Sequence, residues 1–458
     1  MNAATRENAD PTRLAPAPGR AAVLRRGALA AMLAAACAVV APMAGASGGG
    51  GGSSGGSDAE VAGEILVKLR TTTALQPLLQ KYPLTLTGRF GARPIYRLKT
   101  VGTVRVKDIL PSLSLEPDVM IAEVNITNSS PEARRNLPWA VGTPSAFMAQ
   151  WAPGALRLSE AQRISTGSGI RVAVLDTGVD ATHPALAGRL LPGFDFVDYD
   201  NDPGEAGTVA NVGYGHGTHV AGLVALVAPD AQILPLRVLD ANGMGNAWVL
   251  AEALLYAVDP DGNPDTDDGA HVINLSLGSF TRTRLLDAIG QIAACEAAVS
   301  DDPVADRSDP GYTADAVRCS KSRGAVVVAA AGNDASSGVK EYPAAEGAHG
   351  LLAVGASTSK ARLASFSNFG SWVDMTAPGE GLTSSVPGGW GTWSGTSMAA
   401  PLAAGTAALL RAADPSLTPV DVVTRIKRAS AMLCGTSLRQ VDAAAALTNV
   451  VPPAIACP

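Results

Sequence analysis

The stretch Gly169–Asp180, GIRVAVLDTGVD, decides the fold. Its first part, IRVAVL, is apolar except for Arg171, and such a run is typical of a strand buried on both faces of a parallel sheet. Similar runs recur in AQILPLRVL, HVINLSLGS, AVVVAAAGN and LLAVGAS, and the helical segments THVAGLVALV, WVLAEALLYAV and RLLDAIGQIAACEAAV lie between them. This alternation predicts an α/β fold in which a parallel sheet is covered by helices on both faces, giving three layers.

Composition agrees with a large, aliphatic core. The chain has 458 residues, which is too long for one typical domain. Its residues are 47% hydrophobic but only 4% aromatic, so we expect a core of Ala, Val and Leu. The 49 glycines and 31 prolines indicate many tight connections rather than a helical bundle.

The first 46 residues have the pattern of a secretory signal. Arg25 and Arg26 precede the apolar segment Gly27–Ala41, and Ala44 and Ala46 are spaced as in a signal cleavage site. The alternative is a membrane anchor, for which this apolar segment is short. We therefore expect residues 1–46 to be removed and the protein to be secreted, to the periplasm or outside the cell, with no membrane contact afterwards.

Charge and cysteine content support export and argue against nucleic acid. Beyond residue 46 the chain carries 30 Lys and Arg against 39 Asp and Glu, so no basic stripe is available for a nucleic-acid partner. Four cysteines remain there, an even number that suggests two disulfides in an exported protein. Neighbours in sequence would pair as Cys295–Cys319 and Cys434–Cys457, although four cysteines allow three pairings.

A second, smaller unit precedes the α/β region. Residues 47–57 form a Gly/Ser-rich linker. Residues 58–125 show alternating strand patterns and short helices in the order βαββαβ, which predicts a small α+β unit ending in the strand Asp118–Asn125. Residues 126–146 lack periodicity and are interpreted as a linker.

Four polar positions follow apolar strands or open apolar helices, where ligands of open α/β sheets collect. Asp176 ends a strand, His216 lies between two glycines, Ser397 opens a helix and Asn333 follows a strand. Each has an ordinary alternative: a turn or cap for Asp176 and Asn333, a helix N-cap for Ser397, and a structural histidine, which fits the neighbouring His219 better.

Taken together the four supply every role that acyl transfer needs. A serine hydroxyl is a poor nucleophile until an imidazole takes its proton, and a carboxylate must orient that imidazole. A further donor must stabilise the developing oxyanion. The order Asp176, His216, Ser397 is that of one known triad lineage.

The blocks VAVLDTGVD, GHGTHVAG, VVVAAAGN and GTSMAAP resemble the signature blocks of the subtilases, the subtilisin-like serine endopeptidases. The resemblance implies a peptidase domain over residues 147–448, followed by a tail over residues 449–458. It implies that Asp176 is the orienting acid, His216 the general base and Ser397 the nucleophile. Asn333 and the Ser397 N–H would form the oxyanion hole, so the chemistry would need no cofactor.

The resemblance also implies two substrate-binding strands and a pocket. Their predicted residues are Gly243, Met244, Gly245, Ser276, Leu277 and Gly278, with Ala330 and Ala331 lining the pocket floor. Strand-edge backbone groups can pair with any peptide, whatever its side chains. The alternative for these stretches is ordinary sheet and turn structure.

Residues 58–125 resemble a subtilase propeptide, an intramolecular chaperone and inhibitor. We expect self-cleavage between Asn125 and about residue 150, protein or peptide substrates, and a monomer. Two other functions stay open: a catalytically silent binding protein of the same fold, and a maturation protease of narrow specificity rather than a scavenging one.

An acidic loop is a candidate calcium site. The segment DPDGNPDTDDG offers oxygen ligands at alternate positions, namely Asp259, Asp261, Asn263, Asp265 and Asp267. It lacks the closing Glu of an EF-hand, and the alternative is a solvated acidic turn. The segment Asp198–Glu205 is a second candidate.

Overall fold

The computed structural model describes residues 57–91, 93–261, 266–294, 324–348 and 350–457. The predicted signal segment 1–46, the linker residues 47–56 and the predicted Cys295–Cys319 pair lie outside these ranges, as do Asn263 and Asp265. All described residues belong to one unit, Gly55–Pro458.

The N-terminal part is a small sheet packed on two helices. Its elements are β1 (Glu60–Leu69), α1 (Leu75–Lys81), β2 (Leu84–Arg89), β3 (Ile95–Thr100), α2 (Val106–Leu113) and β4 (Val119–Ser129). Strand β1 pairs antiparallel with both β3 and β4. Its alternate side chains Ile65, Val67 and Leu69 are buried in one apolar cluster with residues of both helices. The predicted βαββαβ order is confirmed.

Strand β4 is longer than the sequence predicted. It continues past Asn125 to Ser129 because its last residues pair antiparallel with β9 (Met244–Asn246). The segment 126–146, predicted to be irregular, contains this strand end, α3 (Pro131–Arg134) and β5 (Ala140–Val141), and it ends within α4 (Pro144–Ala149). Pairing partners distant in sequence supply this order, which local periodicity does not encode.

A nine-stranded sheet forms the middle layer of the larger part. Its strands are β6 (Arg171–Asp176), β7 (Phe194–Asp195), β8 (Gln232–Arg237), β10 (Val272–Leu275), β11 (Val326–Ala330), β12 (Leu351–Ser357), β13 (Met375–Pro378), β16 (Ala431–Met432) and β17 (Arg439–Gln440). They lie in the order β16-β17-β13-β12-β11-β10-β6-β8-β7, and all neighbours are parallel except β16 and β17.

Helices cover both faces of this sheet. They are α5 (Ala152–Ala155), α6 (Leu158–Ala161), α7 (His216–Val227), α8 (Ala247–Val258), α9 (Arg284–Ala293), α10 (Thr396–Ala413), α11 (Pro419–Arg428) and α12 (Ala443–Thr448). On β6, Val172 and Val174 face a core with α7 and α10, whereas Ala173 and Leu175 face a core with α8 and α9. The predicted three-layer α/β fold is therefore confirmed.

A third sheet has three strands. Strand β15 (Gly389–Trp393) pairs antiparallel with β14 (Leu382–Val386) on one side and with β5 on the other. The chain that leaves β4 thus reaches a second sheet only about a dozen residues later, and α3 lies between the two pairings.

Near the C-terminus the structure pairs Cys434 with Cys457, whose Cα atoms are 5.6 Å apart. This is one of the two pairings favoured by sequence proximity. Among the helices of the described residues, none combines the length and the apolar character needed to cross a membrane.

Candidate active site

Asp176 and His216 meet where the sheet ends and a helix begins. Asp176 is the last residue of β6 and His216 the first of α7, and Nδ1 of His216 lies 2.7 Å from Oδ1 of Asp176. Both side chains are fully buried. Gly217 permits this approach, because a Cβ there would lie 2.2 Å from the carbonyl oxygen of Gly178.

Ser397 lies in the first turn of α10, as the sequence predicted. Its carbonyl accepts a hydrogen bond from the Ser276 hydroxyl (2.8 Å), and its own hydroxyl lies 3.2 Å from the Ser276 carbonyl. Asn274 Nδ2 in turn donates to the Ser276 hydroxyl (3.0 Å). The end of β10 thereby fixes the start of the serine helix.

Asn333 is oriented by the residue before Ser397. Its Oδ1 accepts hydrogen bonds from the backbone N–H (2.9 Å) and the hydroxyl (3.0 Å) of Thr396. Since the oxygen is held there, the orientation of the Nδ2 donor is fixed as well. A pre-oriented amide donor is what stabilisation of an oxyanion requires.

The carboxylate of Glu132 occupies the centre of these groups. Its Oε2 lies 2.5 Å from the Ser397 hydroxyl and 3.1 Å from Nε2 of His216, and its Oε1 accepts from Asn333 Nδ2 at 2.7 Å. Glu132 belongs to α3 and is fully buried. The space exists because the neighbour is glycine: a Cβ on Gly395 would lie 1.7 Å from Oε1 of Glu132.

The two carboxylates beside His216 determine its charge. Burial opposes the imidazolium, but Asp176 and Glu132 outweigh this and raise the pKa of His216 to about 10. Burial would raise the pKa of Glu132, but its hydrogen bonds and the His216 charge hold the pKa below its ordinary value. At neutral pH the site therefore holds an imidazolium between two carboxylates.

His219 packs edge-on against Trp393, as His216 does, but it differs from His216 in its hydrogen-bond partner and in its charge. Its Nε2 lies 3.2 Å from the carbonyl oxygen of Leu382, and its ring packs edge-on against Trp393 with centroids 5.8 Å apart. Burial lowers the pKa of His219 to about 3, so it stays neutral. This environment is that of a structural histidine.

Glu205 links the Asp176 loop to the start of the His216 helix. It accepts from the hydroxyl of Thr177 (3.1 Å), from the backbone N–H of Gly215 (3.1 Å) and from both the N–H and the hydroxyl of Thr218 (3.0 and 2.9 Å). Burial raises the pKa of Glu205 to about 7. In the sequence, Glu205 is only the last residue of a candidate calcium segment, whereas in the structure its carboxylate bonds to both the Asp176 loop and the start of α7.

Both predicted substrate-binding strands hold the end of β4. Ser129 pairs with Met244 in β9, and it exchanges two backbone hydrogen bonds with Gly278 (2.9 and 3.0 Å). The N–H of Ser130 donates to the carbonyl of Gly243 (3.1 Å). Gly245 pairs with Asn128 in the same ladder, and Leu277 is buried in the core.

A buried carboxylate lies beside the predicted substrate pocket. The methyl groups of Ala330 and Ala331 pack into apolar clusters, and their place on the pocket floor stays a prediction. Glu341 is buried against Gly278 and Gly332, close to Asn333. No local sequence pattern distinguishes Glu341.

The acidic loop assembles a set of carboxylates different from the predicted one. One oxygen from each of Asp259, Asp261 and Asp268 lies within 4.8 Å of the others. Asp267, which was predicted as a ligand, forms an ion pair with Arg171 (3.1 Å) instead. Three carboxylates have the right donor chemistry for calcium and offer up to six oxygens, the lower end of the roughly six to eight that it takes.

Two carboxylates of the second candidate segment are engaged by other protein groups. Asp198 forms an ion pair with Arg237 (2.6 Å), and Glu205 bonds to the loops described above. Calcium binding by the segment Asp198–Glu205 stays a prediction, which would rest on its two other carboxylates, Asp200 and Asp202.

The site combines a buried Asp–His pair, a serine at a helix start and an oriented amide. These groups meet at the edge of the largely parallel sheet of a three-layer fold, and together they define a serine-type hydrolase. The sequence profile of the Subtilase family matches residues 167–449. The chain belongs to the subtilase family and is a serine endopeptidase of the subtilisin type.

Curated relatives agree with this assignment, and a solved structure shares the fold. A thermophilic serine proteinase of Bacillus sp. (strain AK1) is 35% identical over 343 residues, covering 72% of each chain. Thermitase of Thermoactinomyces vulgaris is 36% identical over 272 residues, covering 57% of this chain and 81% of its own. Fervidolysin from Fervidobacterium pennivorans shares the fold, with a TM-score of 0.66 at 22% identity; the match covers 86% of this chain and 62% of that one.

Proposed function

We propose that the protein is a secreted endopeptidase that cleaves proteins through an acyl-enzyme, with Asp176, His216 and Ser397 as its triad and Asn333 in its oxyanion hole. The observation that carries this proposal is the convergence of His216, Ser397 and Asn333 on one carboxylate. A group that accepts from the hydroxyl and the amide occupies the position that a substrate carbonyl needs.

In the first half-reaction, neutral His216 takes the proton of the Ser397 hydroxyl as its oxygen attacks the carbonyl carbon of the peptide bond. The carbonyl electrons move to oxygen, and the amide of Asn333 donates to the resulting oxyanion. Asp176 holds the imidazole in the required tautomer and stabilises its cation. His216 then gives the proton to the leaving amine, and the acyl-serine remains.

In the second half-reaction a water replaces the amine. His216 removes its proton, the hydroxide attacks the acyl carbon, and the proton returns to the Ser397 oxygen as the acid leaves. Members of the family need no cofactor for this chemistry. Structural calcium at Asp259, Asp261 and Asp268 remains a proposal, as does the disulfide between Cys434 and Cys457.

We further propose that the chain is made as an inhibited precursor, with residues 58–125 as its propeptide. Three observations support this proposal. The end of β4 pairs with both predicted substrate-binding strands. Glu132 accepts hydrogen bonds from the nucleophile and from the oxyanion donor, and His216 as an imidazolium cannot accept a proton. Self-cleavage within residues 126–146, after export directed by residues 1–46, would release the site.

A serine-directed reagent tests the catalytic proposal. Processed wild-type protein should hydrolyse casein and lose this activity when a fluorophosphonate labels Ser397. The Ser397→Ala variant should neither hydrolyse casein nor take up the label. The exposed-serine variant Ser359→Ala should behave as wild type. Folded, processed wild-type protein that leaves casein intact would contradict the proposal.

A further inference from the structure

A buried carboxylate lies beside the candidate oxyanion hole. A Cβ on Gly278 would lie 2.5 Å from Oε1 of Glu341, and a Cβ on Gly332 would lie 2.9 Å from its Oε2. Gly278 pairs with the strand in the substrate cleft, and Gly332 directly precedes Asn333. The carboxylate of Glu341 therefore lies between the strand that pairs with the cleft segment and the amide donor. It fits there because Gly278 and Gly332 have no side chains.

An arginine of α3 bonds to this carboxylate, and α3 belongs to the segment 126–146 that fills the cleft in the precursor, here called the inhibitory segment. Nη2 of Arg134 lies 2.5 Å from Oε1 of Glu341, and its guanidinium carbon lies 4.3 Å from the ring centroid of Phe280. Arg134 is only two residues after Glu132, which contacts Ser397. A guanidinium thus lies between the buried carboxylate and an aromatic face, two positions along the chain from the residue that contacts the nucleophile.

The charge of Glu341 needs a cation in this position. Glu341 is fully buried, and none of the residues that the structure describes forms a hydrogen bond with its Oε2. Burial raises the pKa of Glu341 to about 7, while the charge of Arg134 opposes that rise; Asp334 and Asp58 add further negative potential. When Arg134 leaves with the inhibitory segment, the pocket holds a carboxylate without its ion-pair partner, which is unfavourable until another cation enters.

We propose that Glu341 is the specificity-determining residue of the primary pocket and that the enzyme cleaves after arginine. This inference rests on the proposed function, since it names the substrate class of that same site. Arginine should be preferred over lysine, because a planar guanidinium can both bond to a carboxylate and stack on Phe280. A neutral side chain would leave the buried carboxylate unpaired and should be selected against.

Four peptide substrates that differ only in the residue before the cut bond test this inference. With processed wild-type enzyme, the kcat/KM for Arg should exceed those for Gln and Leu at least about 30-fold, with Lys between them. The Glu341→Gln variant should lose at least about 30-fold on the Arg peptide and stay within about threefold on the Leu peptide. The exposed-carboxylate variant Glu380→Gln should keep the wild-type preference.

If Glu341→Gln does not fold, inhibition of the wild-type enzyme tests the same inference. Benzamidine, an arginine-like cation, should inhibit wild-type hydrolysis competitively, whereas neutral benzamide at the same concentration should not. Equal effects of the two compounds, or equal hydrolysis of the Arg and Leu peptides, would overturn the assignment of Glu341 while leaving the endopeptidase intact. Absence of hydrolysis of every peptide would instead count against the proposed function itself.

Discussion

At the scale of single residues, the inhibited state depends on one side chain. Glu132 accepts a hydrogen bond from the nucleophile and favours the cationic form of His216. One carboxylate thus opposes both a free Ser397 hydroxyl and a neutral imidazole, which catalysis requires. Because the pKa of His216 is raised to about 10, the stabilisation from its charge is complete below about pH 6.5 and is lost as the pH rises through about 10.

We therefore expect Glu132→Gln to speed maturation. Gln at this position carries no charge, so the pKa of His216 falls and more of the imidazole is neutral near pH 7.5. Conversion of the purified precursor, followed by gel electrophoresis, should be several-fold faster than wild type at that pH. The difference should narrow toward pH 10, where wild-type His216 also loses its proton.

Two variants control this experiment. Ser397→Ala should stay at precursor length at every pH, and the exposed pro-region variant Glu60→Gln should mature at the wild-type rate. Equal rates for Glu132→Gln and wild type between pH 7 and 8 would show that the carboxylate does not restrain the site.

Glu205 is expected to act by positioning. Its four accepted hydrogen bonds orient the hydroxyls of Thr177 and Thr218, and these hydroxyls in turn accept from the backbone N–H groups of Gly217 and Asp180. Glu205→Gln replaces one acceptor oxygen by a donor. We expect kcat to fall roughly tenfold, the effect of about 1–1.5 kcal/mol, with KM for the same peptide nearly unchanged.

The kcat and KM values of one arginyl peptide check this expectation. Glu252→Gln provides the matched control, because that carboxylate is half-buried but bonds to Tyr199 away from the site. A change confined to KM, or a loss of thermal stability with normal kcat, would assign Glu205 a role other than positioning the imidazole.

Site residues at strand ends and helix starts were predictable from the sequence. The roles of Glu132, Glu205 and Glu341 were not. Asp176, His216, Asn333 and Ser397 follow or open apolar runs, so topology alone brings them to one edge of the sheet. Glu132 lies 265 positions before Ser397, and no local pattern distinguishes it. Its role emerges only from the path of the segment that crosses the cleft.

At the scale of secondary-structure elements, α3 keeps the segment between β4 and β5 from binding in the cleft as a substrate would. The chain enters as a strand paired with β9 and Gly278, turns into α3 at Pro131, and leaves as β5 along β15. Pro131 has no N–H to continue the strand pairing, and it is well suited to the first turn of a helix. The short helix thus presents a side chain where an extended segment would present a peptide bond.

The N-cap of α3 gives a way to loosen this element. The Ser130 hydroxyl accepts from the backbone N–H of Ala133 at 3.3 Å. Ser130→Ala removes this cap, which costs about 0.5–2 kcal/mol. We expect the extended conformation to be populated more often and the precursor to mature a few-fold faster in the same gel assay. Ser114→Ala, an exposed serine after α2, should have no effect, and an unchanged rate for Ser130→Ala would contradict this role of α3.

Sequence patterns predicted most elements but not the fate of residues 126–146. Buried strands and amphipathic helices carry their own periodicity, and so their order could be read locally. The extension of β4, the turn at α3 and the strand β5 depend instead on edges offered by β9 and β15. An isolated segment of this kind has no pattern that encodes its partners.

At the scale of the whole molecule, the N-terminal sheet continues into the larger part. Strand β9 is the fifth strand of the sheet ordered β2-β3-β1-β4-β9. A second contact lies at helix α9, where the carboxylate of Glu123 accepts from the backbone N–H groups of Arg284 (3.0 Å) and Leu285 (3.1 Å). These N–H groups at a helix start lack intrahelical partners, and the helix dipole also favours the carboxylate there.

This interface does not require an intact chain, so the cleaved propeptide should remain bound. We expect Glu123→Gln, which removes the charge at the start of α9, to weaken the processed complex by roughly 1 kcal/mol, or about fivefold in dissociation constant. Size-exclusion chromatography of processed protein should then show less co-eluting propeptide and more peptidase activity than wild type. Asp118→Asn, an exposed carboxylate of the same unit, should leave both unchanged. If both variants retained the wild-type amount of bound propeptide, β-strand pairing rather than the helix contact would hold the two parts together.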